Sequence, residues 1–196
     1  MADSADRFEF RVWGNDLAPF RAVLDSRGQR GEDRTSGETY LASRTNPRLN
    51  AKIRADLLDV KVLVEERDRL QRWHLEMKAA MPCALADLAK IPDLMRALER
   101  EASRATFDTE SLKQILSHAD SGFAVLDIQK RRAGYTFGGC IAEYAEVTWN
   151  GGGDSTISIE TVDPVALLAA ARDLGIYSRE NVSYPSRVVR AVDARR

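Results

Sequence analysis

The sequence predicts an α+β protein with strands at both ends of the chain and helices between them. Three observations predict it. Apolar residues alternate at Phe8, Phe10 and Val12 and again at Leu58, Val60, Val62 and Val64, the period of a strand with two unlike faces. A middle block rich in Leu, Ala, Glu, Arg and Met then replaces the alternation. Strand character returns after Phe123, where Asn150-Gly151-Gly152-Gly153-Asp154 between two strand-like runs is a hairpin signal.

Taken in order, residues 8–64 read as β, with the polar, glycine-containing stretch 25–37 as a mobile loop near a mouth. Residues 65–118 contain the runs EERDRLQRWHLEMKAAM and LADLAKIPDLMRALEREA, which predict two long helices and one short one. Pro82 and Pro92 mark breaks or first turns, and Asp108 or Thr109 caps a helix through Leu112, Ile115 and Leu116. That block ends at Asp120-Ser121-Gly122. Strands follow at 123–137, 140–149 and 155–160. Asp163-Pro164 then supplies a cap and a first-turn proline for a helix that Gly175 terminates, and the tail ENVSYPSRVV reads as extended. The expected organisation is one domain, 1–196, carrying a helical insertion at 65–120.

Composition bounds the function. The 196 residues suffice for a real core, and 44% hydrophobic with 30% charged residues excludes collagen, extended disorder and a disulfide scaffold. The 29 Lys and Arg against 30 Asp and Glu give a net charge of -1, so no global field draws the protein to DNA or anionic lipid. Cys83 and Cys140 read as small buried hydrophobes in a reducing cytoplasm. The first ten residues lack the basic start and apolar run of a signal peptide, and no apolar stretch is long enough to span a membrane, so a cytoplasmic, non-membrane protein is expected.

Any chemistry lies on the polar strand faces. Opposite Phe8, Phe10 and Val12 stand Arg7, Glu9 and Arg11. Lys52, Arg54 and Asp56 lie opposite Ile53, Ala55 and Leu57 in an unbroken strand, and Asp59 and Lys61 lie opposite Val60 and Val62. Lys130 and Arg132 share one side of a later strand, and Glu143, Glu146 and Glu160 follow. A sheet with one wet face gives the same alternation. The helical block, however, must cover something apolar. If the strands close into a barrel of about eight, helices cover the apolar outside and the polar face becomes a lumen with room for one small ligand. Like charges roughly 4 Å apart cost about 4 kcal/mol at an effective dielectric near 20, so such cations need a polyanion or interleaved carboxylates.

At these residues the chain resembles the CYTH superfamily, also called triphosphate tunnel metalloenzymes. The resemblance rests on FEFR near the start, NAKIRADLLDVK in the middle, DIQKRRAGY later, and TISIE followed by a helix and SYP, and it spans nearly the whole chain. It implies an eight-stranded antiparallel barrel whose tunnel binds a triphosphate through basic residues and magnesium or manganese through glutamates of the first and last strands. Family members include thiamine triphosphatases, tripolyphosphatases, RNA triphosphatases and one class of adenylyl cyclase. By resemblance Arg11, Lys52, Arg54, Lys61, Lys130 and Arg132 bind substrate. Glu9 and Glu160 hold metal, and Glu143 positions a catalytic water.

The departures concern the acids. The family's opening Glu-x-Glu-x-Lys is here Arg7-Phe8-Glu9-Phe10-Arg11, and its closing Glu-x-Glu is Ser158-Ile159-Glu160. In this register Arg7 and Ser158 stand where two carboxylates belong; a shifted register makes Glu9 the first glutamate and puts Arg11 in place of the second, one acid short either way, while Glu143 or Glu146 replaces the acid of the intervening strand. Two functions follow as expectations: a metal-dependent phosphohydrolase of inorganic, nucleoside or other organic triphosphates, and a non-catalytic sensor or subunit that binds such anions. Binding to a nucleic-acid 5′ end ranks lowest, since no basic surface extends beyond the tunnel. His74 and His118 read as helix histidines outside the site, Trp13 and Trp149 as packing residues, and Tyr184-Pro185 as structural.

Overall fold

The computed structural model describes residues 5–195. In chain order the elements are β1 (Arg7–Trp13), α1 (Ala18–Arg27), β2 (Gln29–Ser43), β3 (Leu49–Arg54), β4 (Leu57–Arg67), β5 (Leu70–Ala80), β6 (Cys83–Ala84), α2 (Leu85–Leu88), α3 (Pro92–Ala97), β7 (Thr106–Phe107), α4 (Thr109–Leu116), β8 (Phe123–Phe137), β9 (Cys140–Trp149), β10 (Gly152–Thr161), α5 (Pro164–Asp173) and α6 (Tyr184–Asp193). Eight strands close a barrel in the order β1-β10-β9-β8-β2-β3-β4-β5, and β6 and β7 form a separate two-stranded sheet. The expected α+β barrel is therefore present. No helix among the described residues is long and apolar enough to cross a membrane.

The chain divides into two compact units, each assembled from three segments: 1–37, 63–74 and 128–183 in the first, and 38–62, 75–127 and 184–196 in the second. In the first unit the apolar faces of β1 and β8–β10, with Phe8, Phe10, Val12, Ile157 and Ile159, pack against Leu24 of α1 and Leu167, Ala170 and Ala171 of α5. In the second, Leu41, Ala51, Ile53, Leu58 and Val60 pack against Leu88, Leu94, Leu112 and Leu116 from α2–α4. In each unit helices cover the apolar strand faces, which leaves the polar faces to the charged residues.

Local signals act as expected where the turn chemistry is strong. Asp163 Oδ1 accepts from the backbone N–H groups of Val165 and Ala166 at 2.8 and 3.3 Å, and Asp108 Oδ1 accepts from Ser111 N at 2.7 Å. Gly175, at φ +84°, ends α5, and Gly151, at φ +77°, turns the β9–β10 hairpin. Both cysteines are free and buried.

Four readings need correction. Residues 65–80 are strand, not helix: β4 and β5 form a hairpin about Asp68 and Arg69, both at positive φ, and the short helices begin only at Leu85. Pairing with β1 overrides the helix propensity of LQRWHLEMKAA, whose residues Gln71, Arg72 and Trp73 lie opposite Glu9, Phe8 and Arg7. Residues 25–37 are the end of α1 and the exposed start of β2. The strand through Lys52 and Arg54 breaks at Ala55-Asp56, a two-residue turn with φ of 48° and 54°. The tail is not extended, because Tyr184, Val188 and Ala191 recur at helical spacing and bury one face of α6, with Pro185 in its first turn.

A candidate anion-binding site

In the first unit the register sets one row of charged side chains. Glu9 lies directly opposite Glu160, and Arg11 opposite Ser158. Ser158 is in turn opposite Glu143 on β9, and Glu143 opposite Gly134 on β8. Directly opposed residues share a face, so Arg7, Glu9, Arg11, Glu160, Ser158 and Glu143 face the same way, and so do Lys130 and Arg132 at even steps from Gly134. Phe8, Phe10, Ile157 and Ile159 take the other face and the core.

Three cations converge on one carboxylate. Lys130 Nζ lies 2.6 Å from Glu143 Oε1, Arg132 Nη1 lies 3.2 Å from Oε2, and Arg11 Nη1 lies 3.9 Å from Oε1. Arg11 and Lys130 are only 6% and 4% exposed, so their charges need a counter-ion close by. Burial pushes the Glu143 carboxyl up, but the Lys130 and Arg11 charges, the Lys130 hydrogen bond and the Arg132 charge outweigh it and bring the group to about 2. Arg11 Nε also donates to Glu9 Oε1 at 2.8 Å and Nη1 to Thr156 Oγ1 at 3.3 Å, while Arg7 Nη1 donates to Glu160 Oε1 at 3.0 Å. β1 is held in place by Asn181, whose Oδ1 accepts from Arg11 N and whose Nδ2 donates to Glu9 O.

The second unit carries its own cluster. Lys52 Nζ and Arg54 Nη1 each lie 3.5 Å from the Glu38 carboxylate, which is fully buried. Asp59 lies opposite Lys52 and pairs with Lys78 Nζ at 3.8 Å, and Lys61 lies opposite Asn50. Tyr40, also opposite Lys52, stacks on Tyr184 of α6 with ring centroids 4.7 Å apart.

No protein-family model and no curated protein sequence matches this chain. Solved structures do. A candidate adenylate cyclase from Bacillus halodurans is 12% identical over 93% of this chain and 95% of its own, with a TM-score of 0.51. The PH1819 protein of Pyrococcus horikoshii is 15% identical over 94% and 99%, with a TM-score of 0.50. HpAC1 of Hippeastrum, a candidate adenylyl cyclase with a dominant triphosphatase activity, is 14% identical over 87% and 88%, at 0.45. The barrel is the fold that the CYTH resemblance implies.

The metal that the CYTH resemblance implies does not fit the donors present. Among the described residues no three His, Cys, Asp or Glu side chains gather for an ion. Glu9 and Glu160 face each other, but each already accepts from a guanidinium of this chain. A dication on either carboxylate would lie roughly 4–5 Å from that arginine, a repulsion of about 6–8 kcal/mol at an effective dielectric near 20. Gln71, opposite Glu9 on β5, adds only a neutral oxygen. Its Nε2 donates to Glu66 at 3.2 Å, and its Oε1 is buried without a donor.

The sequence-derived residues thus fall into two groups: Glu9, Arg11, Lys130, Arg132, Glu143 and Glu160 in the first unit, and Lys52, Arg54 and Lys61 in the second. Glu146 lies on the other face of β9, against Arg131 at 2.9 Å and Arg21 at 3.9 Å, so Glu143 alone fills the intervening-strand position. Trp13 packs, its Nε1 donating to Val182 O at 2.9 Å. His74 is a strand residue, not a helix one, and its Nδ1 lies 2.6 Å from Asp6. Sequence reasoning missed Glu38 and Gln71. Glu38 sits in the stretch read as the start of a strand after a loop, and its even spacing from Tyr40 was the available signal. Gln71 was hidden by the helical reading of β5.

Proposed function

We propose that this chain is a capture module for a small anion bearing a triphosphate, with slow or no turnover. The observation that carries it is the convergence of Arg11, Lys130 and Arg132 on the single carboxylate of Glu143. Phosphate oxygens entering beside Glu143 gain charge-assisted hydrogen bonds from donors that are already desolvated and positioned, and guanidinium forks match phosphate geometry. In the second unit, Lys52 and Arg54 beside Glu38 offer a separate phosphate-binding cluster. Glu143 acts as the counter-ion that keeps the empty cluster folded. A carboxylate brought to about 2 is a weak base toward water at neutral pH, which argues against rapid hydrolysis through it. The fold likeness to a candidate adenylate cyclase supports a triphosphate as the ligand class, since that chemistry starts from a nucleoside triphosphate. Buried free cysteines support a reducing compartment.

Isothermal titration with tripolyphosphate, pyrophosphate and phosphate at low salt tests the reading. Affinity should rise with phosphate number. Lys130→Met and Arg132→Met should each weaken tripolyphosphate binding by about tenfold or more, while Arg67→Met and Arg100→Met leave it unchanged. Equal losses at all four positions would show diffuse surface attraction and end the proposal. Rapid phosphate release by the wild type would remove the claim of slow turnover.

A further inference from the structure

We infer that triphosphate capture by this barrel is independent of divalent cations, with Arg7 and Arg11 supplying on Glu9 and Glu160 the positive charge that a metal would supply, and with Arg7 a direct phosphate ligand. The inference rests on the capture reading above. Two carboxylates directly opposite each other on neighbouring strands repel unless a cation sits between or upon them. In this chain the cations are covalently part of the fold. Arg11 Nε lies 2.8 Å from Glu9 Oε1, and Arg7 Nη1 lies 3.0 Å from Glu160 Oε1.

The two arginines differ in what they leave available. Arg11 is almost fully buried and divides its donors among Glu9, Thr156 and Glu143. The Arg7 side chain is 40% exposed and is fixed at one end by Glu160. A guanidinium carries five N–H donors in a planar fork, so a fork anchored through one edge presents the rest to an incoming anion. Glu160 thereby orients Arg7, and its own charge is satisfied without a metal. Unlike a bound ion, this pair of cations is present at any free metal concentration.

Titration calorimetry with tripolyphosphate in EDTA, together with electron paramagnetic resonance of manganese added to the ligand-free protein, tests the inference. Wild type should bind tripolyphosphate in EDTA, and added manganese should keep the spectrum of the free aquo ion. Arg7→Gln should weaken binding in EDTA by about tenfold, the value of one charge-assisted contact, and Arg7→Lys should retain most of it. Circular dichroism melts of each variant separate lost binding from lost fold. Binding that EDTA abolishes and manganese restores would overturn the inference while leaving the capture reading intact, as would full affinity in a folded Arg7→Gln. Absence of binding in both buffers would defeat the capture reading itself.

Discussion

Glu143 concentrates the electrostatics of the first unit, since one buried carboxylate compensates charges on Lys130, Arg132 and Arg11. Its carboxyl is brought to about 2 in the folded chain from an ordinary 4.5, so the unfolded chain takes up a proton here more readily than the folded one. The resulting stability, on the order of 3 kcal/mol, is fully present above the unfolded value and is lost as pH falls through the folded one. Urea midpoints should therefore drop between about pH 5 and pH 2 in the wild type, and that part of the drop should vanish in Glu143→Gln. At neutral pH the same variant leaves the buried Arg11 and Lys130 and the partly exposed Arg132 without this carboxylate and should lose about 3–5 kcal/mol, part of which saturating tripolyphosphate restores. A denaturation series with and without ligand reads both effects, and an unaltered midpoint in Glu143→Gln would contradict the counter-ion role. The polar face holding these residues was legible from alternation alone, because Arg7, Glu9 and Arg11 alternate with Phe8, Phe10 and Val12. The pairings were not. Which acid meets which cation depends on the β1–β10 and β9–β10 registers, and these join residues about 150 and 15 positions apart.

At the scale of elements, the sequence announced those whose ends carry strong local chemistry and concealed those set by neighbours. α5 was legible because Asp163, Pro164 and Gly175 specify its start and stop independently of the rest of the fold. Asp163→Ala should cost about 1 kcal/mol in urea unfolding through loss of the cap. β5 was not legible: its residues favour a helix, and only the β1 edge and the Asp68-Arg69 turn make it a strand. The turn at Ala55-Asp56 was hidden in the same way, because nothing in Ala-Asp advertises positive φ. Ala55, at φ 48°, has a side chain where the left-handed conformation costs about 1 kcal/mol or more, so Ala55→Gly should raise the urea midpoint by up to about that amount. A lower midpoint in Ala55→Gly would mean that the turn is set by contacts stronger than its own backbone preference.

Across the whole molecule, a net charge of -1 coexists with a buried convergence of cations, so composition excluded a global field without excluding a local one. The barrel leaves no strand of its main sheet unpaired, which removes the edges through which sheet proteins associate. The seam that closes it pairs β1 with β10, Glu9 opposite Glu160. During synthesis β1 emerges from the ribosome first, and its partner is made only after every other barrel strand. Until then the first strand has an open edge, and Arg7 lacks Glu160, the acid that orients it. Stalled chains ending before Gly152 should therefore fail to retain a tripolyphosphate probe, whereas chains that reach past Asp193 on a linker long enough to clear the ribosome, with α5 and Asn181 in place, retain it. On the proposed capture reading, ligand retention then reports that translation has passed the last barrel strand.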